Sequence, residues 1–321
     1  MRQASLIAVL ARQGVLIALV LLILFGWLRY DNFLGPFNIS TVLRYNSMFA
    51  LVALGMCFVI MTGGIDLSVG GTAALGSVVA ALFSPYGTLA GTVGGVAAGL
   101  CVGAANGFVI VRLRILPFIT TLAAMLAASG AALLLAGDQS VSVSYESGFT
   151  DLGQGDVLGI PIPAVIAAAA YVVGSIVLNL TSTGRTVLAI GGNEDASRLM
   201  GLPVDRVKFL VYVASGGLSG LAGVVLASQF GAGQPVEGVG WELFAIASVV
   251  VGGTVLTGGI GSVGATLAGV LLLGLIFNVL NFENGLGWIS LSAYWQSVIR
   301  GIFLLFVVIL QSRLTLRDEA T

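Results

Sequence analysis

Successive apolar runs are the feature of this sequence that most restricts its fold. A helix needs about 20 mainly apolar residues to cross the hydrocarbon core of a bilayer, and slightly fewer where neighbouring helices shield a glycine-rich segment. By that measure the chain holds about ten spans, near residues 13–29, 43–61, 67–84, 89–111, 116–136, 161–180, 207–229, 242–257, 262–281 and 294–311. The sequence therefore predicts an all-α polytopic membrane protein, with residues 1–321 forming a single transmembrane domain.

The composition narrows the class of function. Only 8% of the residues are charged, whereas about a quarter are charged in an ordinary soluble domain. The formal charge is −1 and there is no histidine, so we expect no nucleic-acid surface and no imidazole for metal binding or acid–base catalysis. Because the HExxH, GxSxG and GxxxxGKS/T motifs are also missing, we expect no catalytic residue, no metal and no cofactor on this chain.

The charge distribution predicts the topology, since cytoplasmic segments next to membrane spans are enriched in Lys and Arg. If ten spans cross the membrane and both termini are in the cytoplasm, most of the cations lie on the cytoplasmic side: Arg2, Arg12, Arg112, Arg114, Arg185, Arg198, Arg206, Lys208, Arg313 and Arg317. Three cations fall elsewhere: Arg29, Arg44 and Arg300. Residues 137–160, the acidic loop, carry carboxylates and no cation, which places them outside the cell. We expect residues 13–29 to be retained as the first span, because no small-residue cleavage site follows them.

The 46 glycines predict two different local structures. Small residues spaced by four let helices approach closely, and the fourth span has such a stripe: Gly91, Gly95, Gly99, Gly103 and Gly107. Two glycine clusters, TGGIDLSVGGTAALG (62–76) and TGGIGSVGATLAG (257–269), each begin Thr-Gly-Gly-Ile and run into a new apolar helix. These clusters predict broken or re-entrant helices.

Asp66 is a carboxylate within the first of these clusters, and two roles for it stay open. As a helix cap it would accept hydrogen bonds from the amides of Ser68 and Val69, a contribution of about 1 kcal/mol. An aspartate at membrane depth is also a functional hypothesis by default, because it costs about 2.5 to 3.5 kcal/mol on insertion scales. Asp66 and Ser68 are therefore candidates either for a cap or for the transport path and its inner gate.

Residues 184–206 form a charged loop between two spans, and its sequence predicts a short helix. Gly191 and Gly192 end one element, Asn193 can cap the next, and Gly201 and Pro203 stop it. The residues that we expect to act at this surface are Gly191, Gly192, Asn193, Glu194, Asp195, Arg198, Leu199, Met200 and Gly201. Leu199, Met200 and Leu202 are apolar with no membrane to enter. A partner surface and an amphipathic connector resting on headgroups both explain this pattern.

Three stretches resemble the membrane permeases of bacterial ATP-binding-cassette importers for monosaccharides, the family of the ribose, arabinose, xylose and galactofuranose systems. They are TGGIDLSVG, AIGGNEDASRLMGLPVDRVK and AIASVVVGGTVLTGGIGSVGATLAG, and the likeness runs from about residue 40 to 311. The resemblance implies that the 184–206 loop is a coupling loop seated on a separate ATPase subunit, which binds ATP and Mg²⁺. It also implies a second permease, identical or paralogous, and an external solute-binding protein, with lipid around the apolar spans. The end of the chain, residues 281–311, is similar to galactofuranose-type permeases, which pair two different permeases. Among the pentoses and hexoses that the family carries, this likeness implies a hexose in furanose form, such as galactofuranose, as the substrate.

A sugar path needs hydroxyl-matching groups and aromatic faces in an otherwise apolar tunnel. Besides Asp66 and Ser68, the candidates for the path or its gate are Asn46, Asn106, Gln229, Asn278, Trp295 and Gln296. Trp241, Trp288 and Tyr294 add aromatic faces near the predicted outer ends. The acidic loop and Glu237 offer docking charges for a binding protein. The competing class is an ion-coupled secondary carrier of a small polar solute, in which Asp66 would be the ion site.

Overall fold

Helices make up most of the structure, as the sequence predicts. The computed structural model describes residues 2–285 and, beyond them, only residues 295, 298, 299, 301 and 302, with side chains from residue 14 onward. In chain order the helices are α1 (Arg2–Arg29), α2 (Pro36–Met61), α3 (Val69–Phe83), α4 (Thr88–Arg112), α5 (Pro117–Ala136), α6 (Asp151–Gln154), α7 (Ile162–Leu180), α8 (Ser182–Gly192), α9 (Glu194–Leu199), α10 (Val204–Phe230), α11 (Trp241–Val251) and α12 (Val263–Gly285).

Seven helices within the described part of the chain are long and apolar enough to cross a membrane: α2, α3 with its 3₁₀ extension to Tyr86, α4, α5, α7, α10 and α12. They coincide with the second to seventh and the ninth of the predicted spans. The 28-residue α1 covers the first predicted span. The tenth, 294–311, lies almost entirely outside the described residues, so the total of ten and the cytoplasmic position of both termini stay predictions.

The eighth predicted span, 242–257, is wrong as a full crossing. Helix α11 has 11 residues, about 16 Å at 1.5 Å per residue, and it ends before Gly252. Gly253 has a φ of 87°, a left-handed conformation that glycine adopts without steric strain. Gly252 then packs on the backbone of Ala265 and Gly269 on that of Ser248, so α11 folds back on α12 as half of a hairpin.

The segment before α11, residues 231–240, is a two-residue strand followed by turns. The described part of the chain has four two-residue strands: β1 (Val141–Ser142), β2 (Asp156–Val157), β3 (Ile160–Pro161) and β4 (Ala232–Gly233). Strand β4 of this segment pairs with β1 of the acidic loop, and β2 pairs with β3. The Gln234 backbone amide donates to the Ser77 hydroxyl of α3 at 3.0 Å. Gly238 then lies against the backbone of Gly70 at the start of the same helix. This re-entrant path places the first residue of α11 beside the middle of α2.

The glycine stripe of α4 forms a close helix contact, as predicted, and the structure identifies α10 as its partner. A Cβ at Gly99 would overlap the backbones of Gly216 and Gly220, and one at Gly103 would overlap the Tyr212 carbonyl. The stripe members Gly91, Gly95, Gly99, Gly103 and Gly107 are all buried. Gly99 and Gly103 of α4 thus meet the backbone of α10 around Tyr212, Gly216 and Gly220, and we call this contact between α4 and α10 the glycine seam.

The two ends of the molecule carry different loops. Arg114, between α4 and α5, lines one cleft with Glu194 and Asp205, so the 184–206 loop lies at the end opposite the acidic loop. The acidic loop is tied to α2 by Arg44, which pairs with Asp156 at 2.9 Å. Arg44, one of the cations that the topology left unexplained, is therefore a counter-ion of this loop.

Candidate functional site

Asp66 lies at the centre of a fully buried polar network. Its Oδ1 accepts hydrogen bonds from the amide of Ser68 at 3.0 Å and from the hydroxyl of that residue at 2.6 Å. Its Oδ2 accepts from the Ser215 hydroxyl of α10 at 2.8 Å, and Asn106 of α4 donates to the Ser68 hydroxyl at 2.9 Å. We call Asp66, Ser68, Asn106 and Ser215 the buried polar network. It joins the break between α2 and α3 to the glycine seam.

The capping geometry expected of Asp66 is realised only in part. The Ser68 amide does donate to it, but α3 begins at Val69 with Ser68 at the capping position. Thr121 of α5 holds the same break, since its hydroxyl accepts from the Leu67 amide at 3.1 Å. Asp66 therefore cross-links a broken helix to its neighbours more than it caps one.

A chamber of about 790 Å³ opens between α2, α11 and α12, in the half of the molecule toward the acidic loop. Asparagine side chains and aromatic rings share its walls with aliphatic residues. Its lining includes Thr41, Tyr45, Asn46, Phe49, Glu237, Trp241, Phe244, Phe277, Asn278 and Asn281. This combination of polar amides and aromatic faces is typical of a site for a small, uncharged, polar ligand.

The aromatic residues of the chamber form a continuous wall. The ring centroids of Phe49 and Trp241 are 4.9 Å apart, those of Phe49 and Phe244 are 4.4 Å apart, and those of Phe244 and Phe277 are 5.9 Å apart. Separations near 5 Å are those that packed aromatic pairs prefer. The wall is therefore preformed by contacts among its own members.

Two asparagines hold the polar side of the chamber in place. Asn46 donates to the Val42 carbonyl of its own helix at 2.7 Å, and its amide fits against Gly274 of α12, where a Cβ would overlap it. Asn278 of α12 exchanges hydrogen bonds with Asn38 of α2 at 2.8 and 3.1 Å. These contacts fix α12 against α2 along the chamber.

The residues predicted for the path or gate fall into separate places. Asn46 and Asn278 line the chamber, whereas Asp66, Ser68 and Asn106 belong to the buried polar network. Gln229 lies near the acidic loop, where its carbonyl accepts from Gln154 at 3.1 Å. Trp295 is 58% exposed, and Gln296, Trp288, Tyr294 and Arg300 lie outside the described residues.

Sequence reasoning missed the phenylalanines of the chamber wall. Phe49 and Phe244 lie in apolar runs. The sequence of such a run does not distinguish a ring that faces the path from a ring in the core or toward lipid. Trp241 is expected near the outer end of a span, and the structure adds that its side chain is 7% exposed. The re-entrant path of residues 231–240 carries it inward, and its flanking glycines were the available signal for that path.

The 184–206 loop has the predicted local structure. Helix α8 ends at Gly192, and the Asn193 side chain caps α9 by accepting from the Ala196 amide at 2.8 Å. Met200 closes α9, and Gly201 follows with a φ of 78°. The short charged helix is therefore confirmed with both of its predicted ends.

The tip of this loop presents apolar side chains on a rigid base. Leu199 is 89% and Met200 68% exposed. Leu202, expected to be exposed with them, packs instead on the main core beside α10. The apolar tip consequently consists of two neighbouring side chains rather than three.

Ion pairs fasten α9 to the start of α10. Glu194 pairs with Arg198 at 3.0 Å and with Lys208 at 2.8 Å, and Arg198 also pairs with Asp205. Partial burial acts to raise the pKa of Glu194, but the hydrogen bonds from Lys208 and Arg198 outweigh it and hold that pKa below its usual range. The carboxylate stays ionised at neutral pH, which keeps α9 in position.

The known proteins to which this chain is similar in sequence are membrane permeases. Residues 38–308 match the family described as branched-chain amino acid transport system / permease component. The ribose import permease protein RbsC of Bacillus subtilis (strain 168) is 39% identical over 308 residues, 95% of this chain and 94% of that protein. RbsC of Escherichia coli (strain K12) is 35% identical over 309 residues, with shares of 95% and 94%. The L-arabinose ABC transporter permease protein AraH of Azospirillum brasilense is 37% identical over 300 residues, with shares of 93% and 86%. No solved structure matches the chain.

Proposed function

This chain belongs to the family described as branched-chain amino acid transport system / permease component, and we propose that its own cargo is a pentose, because relatives within reach of its sequence are named for pentoses. The chain is the membrane-spanning permease subunit of an ATP-binding-cassette importer for a monosaccharide. It is a transport component and not an enzyme. It resides in the bacterial plasma membrane. Three of its relatives are named for ribose or L-arabinose. Galactofuranose, which residues 281–311 suggested, is not named in any of these three.

The chamber is the observation that carries this proposal. Its volume of about 790 Å³ lies within the range of about 300 to 1,000 Å³ that small-molecule sites occupy. The C–H faces of a sugar ring pack on aromatic rings such as Phe49 and Trp241, while asparagine amides offer both donors and acceptors to hydroxyl groups. A pentose is small compared with this space, so it passes through partly hydrated and weakly held.

The 184–206 loop supports coupling to a separate ATPase subunit, a partner that importers of this class require. We propose that Leu199 and Met200 insert into an apolar cleft of that subunit, with the flanking charges of α9 around them. Two exposed apolar side chains on a base fixed by ion pairs suit such docking, because little conformational freedom is lost on binding. ATP and Mg²⁺ are then bound by the partner and not by this chain.

The end of the molecule with the acidic loop is proposed as the docking surface for a solute-binding protein. Glu146, Asp151 and Glu237 are exposed there, and Glu237 also lines the chamber. Asp156 is paired with Arg44, so we leave it out of the docking set. A second permease, identical or paralogous, completes the proposed membrane unit.

Co-purification is the experiment that tests this proposal. The tagged chain is solubilised from its native membrane in mild detergent, and its partners are identified by mass spectrometry. The recovered complex is placed in liposomes with its binding protein and ATP, and uptake of labelled D-ribose, L-arabinose and D-galactose is compared. We expect an ATPase subunit to co-purify and one of the two pentoses to be taken up in preference to the hexose.

Two results would contradict the proposal in different ways. Recovery of the chain alone, with uptake driven by an ion gradient, would favour the secondary carrier. Preferred uptake of the hexose by an otherwise intact complex would reject the pentose alone. Docking of the binding protein is tested separately with Glu146→Gln, Asp151→Asn and Glu237→Gln, and unchanged affinity in the triple variant would reject the acidic surface.

A further inference from the structure

Three turns from distant parts of the chain meet at the end of the molecule that carries the 184–206 loop. The Gly259 amide, between α11 and α12, donates to the Met61 carbonyl at the end of α2 over 3.0 Å. Gly191, in the last turn of α8, lies against both of these residues, and Gly258 lies against Gly63 and Gly191. We call Met61, Gly63, Gly191, Gly258 and Gly259 the glycine junction.

Main chain touches main chain in this junction, with no side chain between the turns. A Cβ added at Gly191 would overlap the Met61 carbonyl oxygen and the Gly259 amide nitrogen, and one at Gly258 would overlap the backbone of Gly63. Gly63, Gly258 and Gly259 have φ values of 77°, 90° and 78°. Contacts between backbones have no rotamers to adjust, so a shift of one turn displaces the others.

Each turn of the junction belongs to an element with a role described above. Met61 ends α2, and the turn with Gly258 and Gly259 joins α11 to α12. These three helices line the chamber. Gly191 is two residues from Asn193, which caps α9, so the junction directly adjoins the helix with the exposed apolar tip.

We infer that the glycine junction is the mechanical link between the 184–206 loop and the chamber. A displacement of α9 moves Gly191, which pushes on Met61 and on the turn between α11 and α12, and so changes the spacing of the chamber helices. The other connection of α9, through its ion pairs to α10, leads into the glycine seam, where α10 is locked to α4. This inference rests on the proposed function, because it takes the ATPase as the source of the displacement.

Gly191→Ala tests the junction, with Gly264→Ala as its matched control. Both glycines are helical and near the junction, but a Cβ at Gly264 has no atom within 4 Å. Measured per Gly191→Ala complex that contains the ATPase, we expect D-ribose or L-arabinose uptake to be lowered by about tenfold. ATP hydrolysis in this variant no longer rises when the loaded binding protein is added. The control transports within about twofold of the unmodified complex.

Transport by an assembled Gly191→Ala complex at the level of the control would overturn the inference and leave the proposed function standing. Failure of any ATPase to co-purify with the unmodified chain would instead remove the proposed function.

Hydrogen exchange provides a second test in case Gly191→Ala does not assemble. In the unmodified complex, peptides covering 60–64, 188–193 and 254–260 should change protection together when ATP is added. Control peptides from the glycine seam should stay unchanged. A change confined to 188–193 would overturn the inference.

Discussion

The buried polar network and the chamber both place polar side chains inside a membrane protein, but the surroundings of those side chains differ. Asp66 and Ser215 are 0% exposed and Asn106 is 1% exposed, and their hydrogen bonds join one element of the protein to another. Asn278 also pairs with Asn38 of α2, but it and Asn46 line the chamber that we propose for the sugar. A polar residue in a span can therefore be a cross-link or part of a path, and the space beside it distinguishes the two.

The largest effect that we expect comes from Asp66→Ala. The substitution leaves the Ser68 amide and the Ser68 and Ser215 hydroxyls without their acceptor, and each buried donor left unpaired costs about 1 to 3 kcal/mol. We expect a severe loss of folded protein, measured as the monodisperse fraction in detergent and as the unfolding temperature. Thr92→Ala is the control, because its hydroxyl donates within its own helix to the Thr88 carbonyl. An Asp66→Ala protein as stable as this control would show that the network is not a structural cross-link.

Trp241→Ala should weaken the chamber's contact with the sugar, and uptake is compared per assembled complex because removal of a buried Trp side chain also costs stability. The loss of about 1.4 kcal/mol of aromatic contact with the sugar corresponds to a tenfold change in apparent affinity. We expect the KM for uptake to rise by about tenfold while the complex still assembles. Trp27→Ala is the matched control, since Trp27 is 58% exposed on α1. Equal KM values in the two variants would remove Trp241 from the path.

Asn46→Ala should have a smaller effect of the same kind. Removal of one hydrogen-bonding group from the wall weakens sugar binding by about 1 kcal/mol, a roughly fivefold rise in KM. Asn179→Ala on α7 is the control, because both asparagines donate to the carbonyl four residues earlier in their own helix. If both variants raised the KM alike, the effect would come from the helices and not from the chamber.

The smallest effect is expected for Asp66→Asn, which separates a structural role of the buried polar network from a role in transport. The asparagine keeps an acceptor for the Ser68 donors, and its amide can donate to the Ser215 oxygen, which also accepts. We expect expression, assembly and uptake to stay within about twofold of the unmodified complex. A complex that assembles but loses uptake would place Asp66 in the transport cycle and not only in the fold.

Much of the fold could be predicted from local sequence patterns. Span length follows from apolar runs, and the ends of α9 follow from Asn193 and Gly201, because caps act within one helical turn. The stripe of α4 was recognisable from its spacing of four. In each case the structural signal is contained in neighbouring residues.

The parts that could not be predicted depend on distant contacts. Residues 242–257 are apolar enough for a span, and only the packing of Gly252 and Gly269 in a tight hairpin shows that α11 stops early. Asp66 in its glycine cluster and Ser215 in the seventh predicted span were both recognisable as polar residues, but their pairing joins positions 149 residues apart. The chamber depends on three helices meeting, which no single segment of sequence encodes.

The glycine seam also has a consequence for the order in which the protein is made. Helix α4 ends at Arg112 and α10 starts at Val204, so 204 − 112 = 92 residues separate the two positions. At about 5 to 20 residues per second, a ribosome takes roughly 5 to 18 s to cover that distance. During this interval the stripe of α4 lies in the membrane without α10, and Asp66 lacks the hydrogen bond from Ser215. A nascent chain arrested before residue 230 should therefore remain exposed to membrane quality-control proteases, whereas one that includes α10 can close the seam.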